Sequence, residues 1–245
     1  MNTVKRLYIL DFGLFQVHQN NRVIGIPGYL IQTHNGKNIL VDTGFPAKYV
    51  EDVESATLED GLESFGRIVS LSAENLPAAQ LRKIGLKLSD IDTLVMTHTH
   101  IDHVGGIGDF PNVPIVIHAD ERALDQPIYW NDRSPIPWPD NECQLIDADC
   151  ELCPGVMLLT TPGHALGHLS LLVRLPETGA VLLTGDAISR SAELEEGFGG
   201  SWNAELAQAS ADKLMALAKH ENAFIVYGHD PEQWPTLKKA PQAYS

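Results

Sequence analysis

The chain has 245 residues, of which 44% are hydrophobic and 20% are charged, so it can bury a sizeable core and falls in the size range of one large domain. Its 17 Lys and Arg against 32 Asp and Glu give a net charge of -15, which disfavours binding to nucleic acid, to anionic membrane surfaces and to polyanionic substrates. We therefore expect a single globular domain spanning residues 1–245 that binds neither nucleic acid nor a membrane.

Export and membrane insertion are not expected for this chain. The apolar run near its N-terminus, residues 7–10, is too short for the core of a signal peptide, and nothing elsewhere approaches the roughly 18 apolar residues of a membrane span. The three cysteines, Cys143, Cys150 and Cys153, are an odd number, which fits a reducing compartment better than a disulfide framework. We expect a cytoplasmic protein with free thiols.

Short apolar runs rich in β-branched residues recur along the chain and stop at Gly, Asp or His, which is typical of buried or half-buried strands. In chain order the predicted strands are residues 29–33, 38–41, 93–97, 114–117, 156–161, 169–175, 180–184 and 223–227. Two helices are also predicted. The first spans residues 76–84, with Asn75 as N-cap, Pro77 in the first turn and Gly85 as its stop, and the second spans residues 204–219.

A weak similarity between two segments of the chain indicates two similar halves. Residues 39–44 (ILVDTG) and 181–186 (VLLTGD) each form an apolar strand that ends in Thr, Gly and Asp. Strands followed by helices in both halves predict an α/β fold of the αββα sandwich type, in which two mixed β-sheets pack face to face and helices flank them. Residues 45–72 and 126–142 predict loops or irregular helices over a site at the strand ends.

Directly after the strand predicted at 93–97, three imidazoles and one carboxylate fall within six residues. In a tight loop, His98 and His100 can point one way while Asp102 and His103 turn the other, so that one pair serves each of two metals. Imidazole and carboxylate are ligands that Zn²⁺ accepts. A lone histidine is more often a surface or hydrogen-bonded core residue, but four such groups at this spacing favour a metal site.

Three positions at other predicted strand ends offer the remaining ligands: His164, Asp186 and His229, each of which follows a Gly. They complete a two-metal set with one shared carboxylate. His168 is a weaker alternative whose favoured role is packing or support of a ligand, and Asp42 is predicted to form hydrogen bonds at a strand end. The expected cofactors are two divalent ions, with Zn²⁺ preferred and Mn, Fe or Co also compatible with these ligands.

The HxHxDH pattern of residues 98–103, joined to His164, Asp186 and His229, resembles the metallo-β-lactamase superfamily of hydrolases. The resemblance spans most of the chain. Within the superfamily the chain is similar to the N-acyl homoserine lactonases, the quorum-quenching branch, in four segments: 25–31 (GIPGYLI), 39–44 (ILVDTG), 161–168 (TPGHALGH) and 227–233 (YGHDPEQ). This similarity, and not the ligand spacing, implies a lactone as the small-molecule substrate.

The resemblance also implies how the ligands divide: His98, His100 and His164 on one metal, Asp102, His103 and His229 on the other, and Asp186 between them. Some relatives differ by residue type. Flavin-dependent diiron proteins of this fold carry Glu where His100 stands, and true β-lactamases lack the bridging Asp found here as Asp186. Thioester hydrolases that act on glutathione conjugates use a basic cluster that is not obvious near this C-terminus.

One position departs from the lactonase pattern. Ser189, three residues after Asp186, stands where those enzymes usually place a Tyr whose hydroxyl bonds the substrate carbonyl. Either the Ser189 hydroxyl acts through water, or another phenol such as Tyr29 or Tyr129 substitutes, or the substrate is not an acyl homoserine lactone. We keep Ser189 with Asp102 and Asp186 among the expected catalytic residues.

The expected reaction is opening of the lactone ring. Two metals that share a water lower its pKa, and the resulting hydroxide attacks the carbonyl carbon. Asp102 either passes the proton to the departing alkoxide or serves only as a ligand. An acyl chain would need an apolar pocket, for which the candidate lining residues are Phe15, Ile24, Phe45, Phe65, Tyr129, Trp130 and Trp138.

Other interpretations stay open. The same ligands could serve an aryl esterase, a phosphotriesterase or a thioester hydrolase. An iron-binding redox protein is argued against by His100 and by the lack of a flavin-binding segment. A binding module without turnover is disfavoured because the ligand set has no missing member. Formation of a homodimer is left open by the sequence.

Overall fold

The structure, a computed structural model, describes residues 4–127 and 136–245. The strands in these residues are β1 (Val4–Val17), β2 (Val23–Thr33), β3 (Asn38–Val41), β4 (Gly66–Ser70), β5 (Thr93–Val95), β6 (Ile115–His118), β7 (Cys143–Ile146), β8 (Cys150–Cys153), β9 (Val156–Thr160), β10 (Leu169–Leu175), β11 (Gly179–Leu183) and β12 (Phe224–Val226). The α-helices are α1 (Lys48–Glu51), α2 (Val53–Asp60), α3 (Pro77–Arg82), α4 (Ile101–Val104), α5 (Ala119–Arg122), α6 (Glu193–Glu196) and α7 (Ala204–Glu221). None of the helices described is both long and apolar enough to cross a membrane.

The strands form two mixed sheets. The larger has seven strands in the order β4-β1-β2-β3-β5-β6-β7, and the smaller has five in the order β12-β11-β10-β9-β8. In the larger sheet β1 pairs antiparallel with β2 and β4, and β2 with β3, whereas β3, β5, β6 and β7 run parallel. The smaller sheet is antiparallel except for the parallel pair β11 and β12. Parallel strands bring their carboxyl ends to one edge, and the predicted metal-binding segments follow there.

The two sheets pack face to face because successive residues of each strand point to opposite sides. Leu183 of β11 lies in the core between the sheets, together with Val41 and Val95 of the larger sheet. Its neighbour Leu182 points the other way and packs with Leu214 of α7. A third cluster covers the outer face of the larger sheet and includes buried residues from α2, α3 and α4: Ala56, Leu81, Ile101 and Val104. The predicted αββα sandwich is confirmed.

All eight predicted strands are present, with ends that differ by up to two residues, except that β2 begins six residues earlier, at Val23. The strands β1, β4, β7 and β8 are not predicted. Three of these, β4, β7 and β8, are edge strands with many half-buried or exposed side chains, so their sequences lack an apolar pattern. The prediction of loops or irregular helices over residues 45–72 is wrong where β4 pairs with β1.

Both predicted helices are present, but α3 ends at Arg82, two residues before the predicted end, with Lys83 as its C-cap, and α7 continues two residues past its predicted end. Asn75 is not the N-cap of α3. It ends a preceding 3₁₀ helix, where its Oδ1 accepts a hydrogen bond from the Ser72 amide at 3.1 Å, and Leu76 takes the N-cap position. The longer helix α7 starts at the predicted residue, where the Asn203 side chain accepts hydrogen bonds from two backbone N–H groups of the first turn.

The second predicted loop, residues 126–142, is described only in part, so Tyr129 and Trp130 lie outside the described residues. Trp138 is described and is partly buried. Its Nε1 donates a hydrogen bond to the Leu124 carbonyl at 2.8 Å, and the Arg122 guanidinium lies 4.9 Å from its ring centroid. These contacts hold the end of the loop against the segment that contains α5.

Candidate metal centre

The structure brings together all seven side chains predicted as metal ligands. One group consists of His98, His100, His164 and Asp186, and the other of Asp102, His103 and His229; within each group the ligand atoms lie within 4.8 Å of one another. From the larger sheet, the segment after β5 contributes His98 and His100, and α4 contributes Asp102 and His103. The loop from β9 to β10 and the segments after β11 and β12 contribute His164, Asp186 and His229 from the smaller sheet.

Asp186 lies between the two groups. Its Oδ2 is 3.2 Å from His164 Nε2, and its Oδ1 is 3.1 Å from His229 Nε2 and 3.6 Å from His103 Nε2. The other carboxylate, Asp102, places Oδ2 at 3.4 Å from His229 Nε2. One carboxylate thus reaches both groups, which is the geometry that a bridging ligand requires.

The donor atoms of this centre fit divalent cations. His98 Nε2, His103 Nε2 and Asp186 Oδ1 are buried and have no hydrogen-bond partner among the described residues. Buried polar atoms without partners are rare and costly, whereas imidazole nitrogen and carboxylate oxygen are ordinary ligands of zinc-like ions. Two divalent ions, one in each group, would satisfy these atoms.

Hydrogen bonds at the opposite ring nitrogens orient the histidines. Asp42 Oδ2 accepts from His103 Nδ1 at 2.8 Å and from Thr97 Oγ1 at 2.8 Å. Since the Thr97 hydroxyl donates to Asp42, its oxygen is left to accept from His98 Nδ1 at 3.0 Å. Both rings therefore direct Nε2 at the centre, where it can bind a metal ion once it carries no proton. This is the strand-end hydrogen-bonding role predicted for Asp42, which holds a left-handed φ of 60°.

His229 is oriented by a backbone group. Its Nδ1 donates to the Gly25 carbonyl at 2.9 Å. Gly25 lies against the indole of Trp234, so closely that a Cβ at this position would lie 2.1 Å from a ring atom. Only glycine allows the strand β2 to lie between Trp234 and His229.

His168 contacts the backbone of Asp186 and is not part of either candidate ligand group. Its Nε2 accepts the backbone N–H of Asp186 at 3.0 Å, and its Nδ1 lies 2.8 Å from Thr161 Oγ1. Complete burial, reinforced by nearby His164, holds the pKa of His168 well below its ordinary value. A neutral His168 is the form that can accept from Asp186.

Two of the histidines bind protons strongly in the metal-free protein. Burial lowers the pKa of His103, but the carboxylates of Asp102, Asp186 and Asp42 outweigh it and raise that pKa to about 10. For His229, burial is likewise outweighed, chiefly by Asp186, and the pKa rises to about 9. The negative charge of these carboxylates thus favours positive charge at the centre, and protons supply it when no metal ion is bound.

The other group of histidines behaves in the opposite way. Burial, followed by the neighbouring His164, lowers the pKa of His100 to about 4. Burial also lowers the pKa values of His98 and His164. These rings are neutral near pH 7, which is the state that binds a metal ion.

Ser189, the position that departs from the lactonase pattern, is held next to the centre by its backbone. Its carbonyl accepts from the His229 amide at 2.7 Å, and its amide donates to Glu193 Oε2 at 2.8 Å. Tyr29 is only 2% exposed and its hydroxyl is sealed from solvent, so this phenol does not face a surface that substrate could reach directly. Tyr129 lies outside the described residues.

Three residues that no sequence motif indicates lie next to the candidate ligands or their segments: Thr97 bonds His98, Gly25 bonds His229, and Glu121 bonds Thr99 and Gly167. For Glu121 the sequence offers only its position four residues after the predicted strand 114–117, and its burial, at 2% exposure, is evident only in the structure. The roles of Gly25 and Thr97 likewise depend on contacts with residues distant in the chain.

A four-layer sandwich with two adjoining His and Asp clusters at its strand ends defines a dinuclear metal-dependent hydrolase. Residues 23–229 match the family described as the metallo-beta-lactamase superfamily. The N-acyl homoserine lactonase of Bacillus cereus is 34% identical to this chain over 98% of its length and 99% of the relative's.

Solved structures agree with these matches. An AiiA variant from B. thuringiensis with N-decanoyl-L-homoserine bound at the active site aligns with a TM-score of 0.85 and 30% identity, over 99% of this chain and 100% of that one. An N-acyl homoserine lactone hydrolase with its product N-hexanoyl-L-homoserine at the catalytic metal center aligns with a TM-score of 0.81 and 30% identity, over 99% and 100% of the two chains.

The chain belongs to the metallo-beta-lactamase superfamily and, within it, to the branch of the N-acyl homoserine lactonases. It is a metal-dependent hydrolase of carboxylic ester bonds.

Proposed function

We propose that this enzyme is a lactonase that opens the ring of N-acyl homoserine lactones or a closely related lactone. The observation that carries the proposal is the pair of ligand groups joined by Asp186. It is supported by relatives named as N-acyl homoserine lactonases over nearly the whole chain, and by a similar structure that holds N-hexanoyl-L-homoserine at its metal center.

We assign one divalent ion to His98, His100 and His164 and a second to Asp102, His103 and His229, with Asp186 shared. Zn²⁺ is the proposed ion. When bound, the two ions supply a Lewis acid for the substrate carbonyl and lower the pKa of a water so that it can act as a nucleophile at neutral pH.

The protein's own contribution to ring opening includes a proton transfer. Water oxygen bonds to the carbonyl carbon, the bond from that carbon to the ring oxygen breaks, and one proton must reach the departing alkoxide. Asp102 is suited to carry it because its side chain is 17% exposed, against 7% for Asp186, so one of its oxygens can meet the substrate.

Ser189 is the proposed substrate contact in place of the family's Tyr. Its backbone is fixed by His229 and Glu193, so its short hydroxyl lies on a rigid segment next to the metal ligands. Replacement by alanine should raise KM by about three- to tenfold, as loss of one hydrogen bond to a neutral group does, and leave kcat nearly unchanged. Unaltered KM in Ser189→Ala would remove this residue from the site.

The function is tested by proton release from purified, metal-analysed protein on a panel of substrates. The panel contains acyl homoserine lactones, aliphatic and aromatic lactones, aryl esters, phosphotriesters and thioesters. We expect the highest kcat/KM on a lactone, with two metal equivalents bound. Activity confined to the esters or thioesters would overturn the lactonase proposal, and bound iron with a visible absorption band and no hydrolysis would favour the redox alternative.

A further inference from the structure

One buried carboxylate near the metal centre lies outside the ligand set. Glu121 is on α5, directly after β6, and is 2% exposed. Its Oε2 accepts a hydrogen bond from Thr99 Oγ1 at 2.8 Å, and its Oε1 accepts from the backbone N–H of Gly167 at 3.0 Å. Burying a carboxylate costs free energy unless hydrogen bonds compensate for the lost water, so a buried Glu at this position indicates a specific role.

The two partners of Glu121 lie in segments that extend from different sheets. Thr99 stands between His98 and His100 in the segment that follows β5 of the larger sheet. Gly167 lies in the loop from β9 to β10 of the smaller sheet, three residues after His164. A single carboxylate therefore joins the segments that carry the three histidines of one metal group.

The contact at Gly167 is close. A Cβ on this residue would lie 2.7 Å from His118 Nδ1 and 2.9 Å from Glu121 Cγ. The loop can approach α5 this closely because position 167 has no side chain. The distance between the two ligand segments is therefore set by a tight packing contact together with the two hydrogen bonds.

We infer that Glu121 is a positioning residue that holds the His98–His100 segment and the His164 loop at the separation one metal ion needs. The inference rests on the proposed function, since it uses the assignment of that ion to these three histidines. Glu121 does not touch the ion or the substrate. It acts through Thr99 and Gly167, so that the ligands are arranged before metal arrives.

The test compares Glu121→Ala, Glu121→Gln and Thr99→Val with the wild type, all as full-length protein. Zinc affinity of each equivalent is measured by competition with a chromophoric chelator, and thermal unfolding of the metal-free form is measured in parallel. Glu221→Ala is the matched control. Glu221 of α7 also joins a helix to a sheet, through its ion pair with Arg174 of β10 at 2.9 Å. Neither residue of this pair lies in a segment that carries a histidine of the metal centre.

Glu121→Ala should weaken one of the two zinc equivalents by about 10- to 100-fold and leave the other within about threefold. Thr99→Val should weaken the same equivalent by a smaller factor. Glu121→Gln should retain near wild-type affinity, because a carboxamide can accept from the Gly167 N–H and donate to the Thr99 hydroxyl oxygen. The control should leave both equivalents unchanged.

Two results would overturn the inference. The first is unchanged zinc affinity in Glu121→Ala with only the unfolding temperature of the metal-free form lowered, which would make Glu121 a general structural residue. If Glu121→Ala does not fold, the same result in Thr99→Val leads to the same conclusion. The second is a Glu121→Gln variant as weak as Glu121→Ala, which would show that charge and not geometry matters. A wild type that fails to bind two zinc ions would instead contradict the proposed function.

Discussion

The two carboxylates of the metal centre differ in their surroundings, and this difference separates their expected roles. Asp186 is 7% exposed, and its two oxygens lie 3.2 Å from His164 and 3.1 Å from His229. Burial works against its charge, but His229, His164 and His103 hold its pKa well below the ordinary value. Asp102 is 17% exposed and has its closer ligand contact at 3.4 Å. Of the two carboxylates, we therefore propose Asp102 as the one that is both a ligand and a proton carrier.

Replacement of Asp102 by asparagine tests that role. The amide can still bind a metal through its oxygen but cannot carry a proton, so kcat on the best lactone should fall by about 100-fold or more while both metals stay bound. Metal content is measured alongside steady-state kinetics. Unchanged turnover with two metals bound would leave Asp102 as a ligand alone.

Metal binding should release protons and strengthen as pH rises. The pKa values of His103 and His229 in the metal-free protein, about 10 and about 9, mean that both rings are protonated at pH 7. A cation must displace these protons, so zinc uptake at pH 7 should release about two of them and affinity should increase from pH 7 to 9. Calorimetry in buffers of different ionisation enthalpy measures the proton count, and a count near zero would contradict the prediction.

The same two residues give the metal-free fold an opposite pH dependence. Their folded pKa values are raised above the ordinary 6.5, so the stability they contribute is complete below pH 6.5 and is lost as pH rises through about 9 to 10. Thermal unfolding of metal-free protein between pH 6.5 and 10 measures this loss. The metal-loaded protein provides the comparison, since its histidines are already unprotonated.

At the scale of elements, strand β2 connects the C-terminal segment to the centre. Gly25 of β2 presents its carbonyl to His229 on one side and its bare Cα to the Trp234 ring on the other. Lys239 Nζ lies 4.5 Å from the centroid of the same ring and helps to hold it in place. The orientation of one ligand thus depends on packing between β2 and the chain's last residues.

Gly25→Ala should disturb this arrangement. Because the new methyl group would lie 2.1 Å from the indole, either Trp234 or β2 must move, at a cost of about 1–3 kcal/mol in the free energy of unfolding. Zinc affinity of one equivalent should fall as the carbonyl leaves His229. Gly108→Ala is the matched control, because nothing lies within 4 Å of a Cβ there. Equal unfolding free energies for the two variants would contradict the prediction.

The sequence predicted elements well where strands are buried on both faces and poorly at sheet edges. Strand β3 is buried at all four positions and its bounds are as predicted. Strand β7 has one buried residue in four, so its sequence shows no pattern, and it exists because β6 pairs with it. Such strands are determined by a neighbour and not by their own composition.

At the scale of the whole molecule, the metal groups draw ligands from both sheets. His98 and His100 follow β5 of the larger sheet, whereas His164 belongs to the smaller one. Asp102 and His103 likewise meet His229 across the two halves. Each bound ion would therefore connect the sheets at the end where the strands terminate, in addition to the apolar core between them.

Removal of metal should lower stability and leave one folding unit. Free zinc at a thousandfold excess over its Kd contributes about 4 kcal/mol per site, or about 8 kcal/mol for two sites, which corresponds to a fall in Tm on the order of 20 °C when both ions are removed by chelation. We propose that the chain is a single domain, so calorimetry should show one cooperative transition with and without metal. Two separate transitions would contradict the single-domain proposal, and an unchanged Tm would contradict metal binding across the sheets.

The apolar strand pattern and the spacing of His and Asp are enough to predict the sandwich and the side chains that meet at its edge. Strand periodicity depends on neighbouring residues, and the ligands between His98 and His103 are recognisable from residue type and spacing. Only the tertiary structure decided which groups orient them. Asp42 meets His103, Gly25 meets His229 and Glu121 meets Gly167 across separations of 61, 204 and 46 residues. Contacts of that kind depend on how two sheets pack, and no local pattern along the chain encodes them.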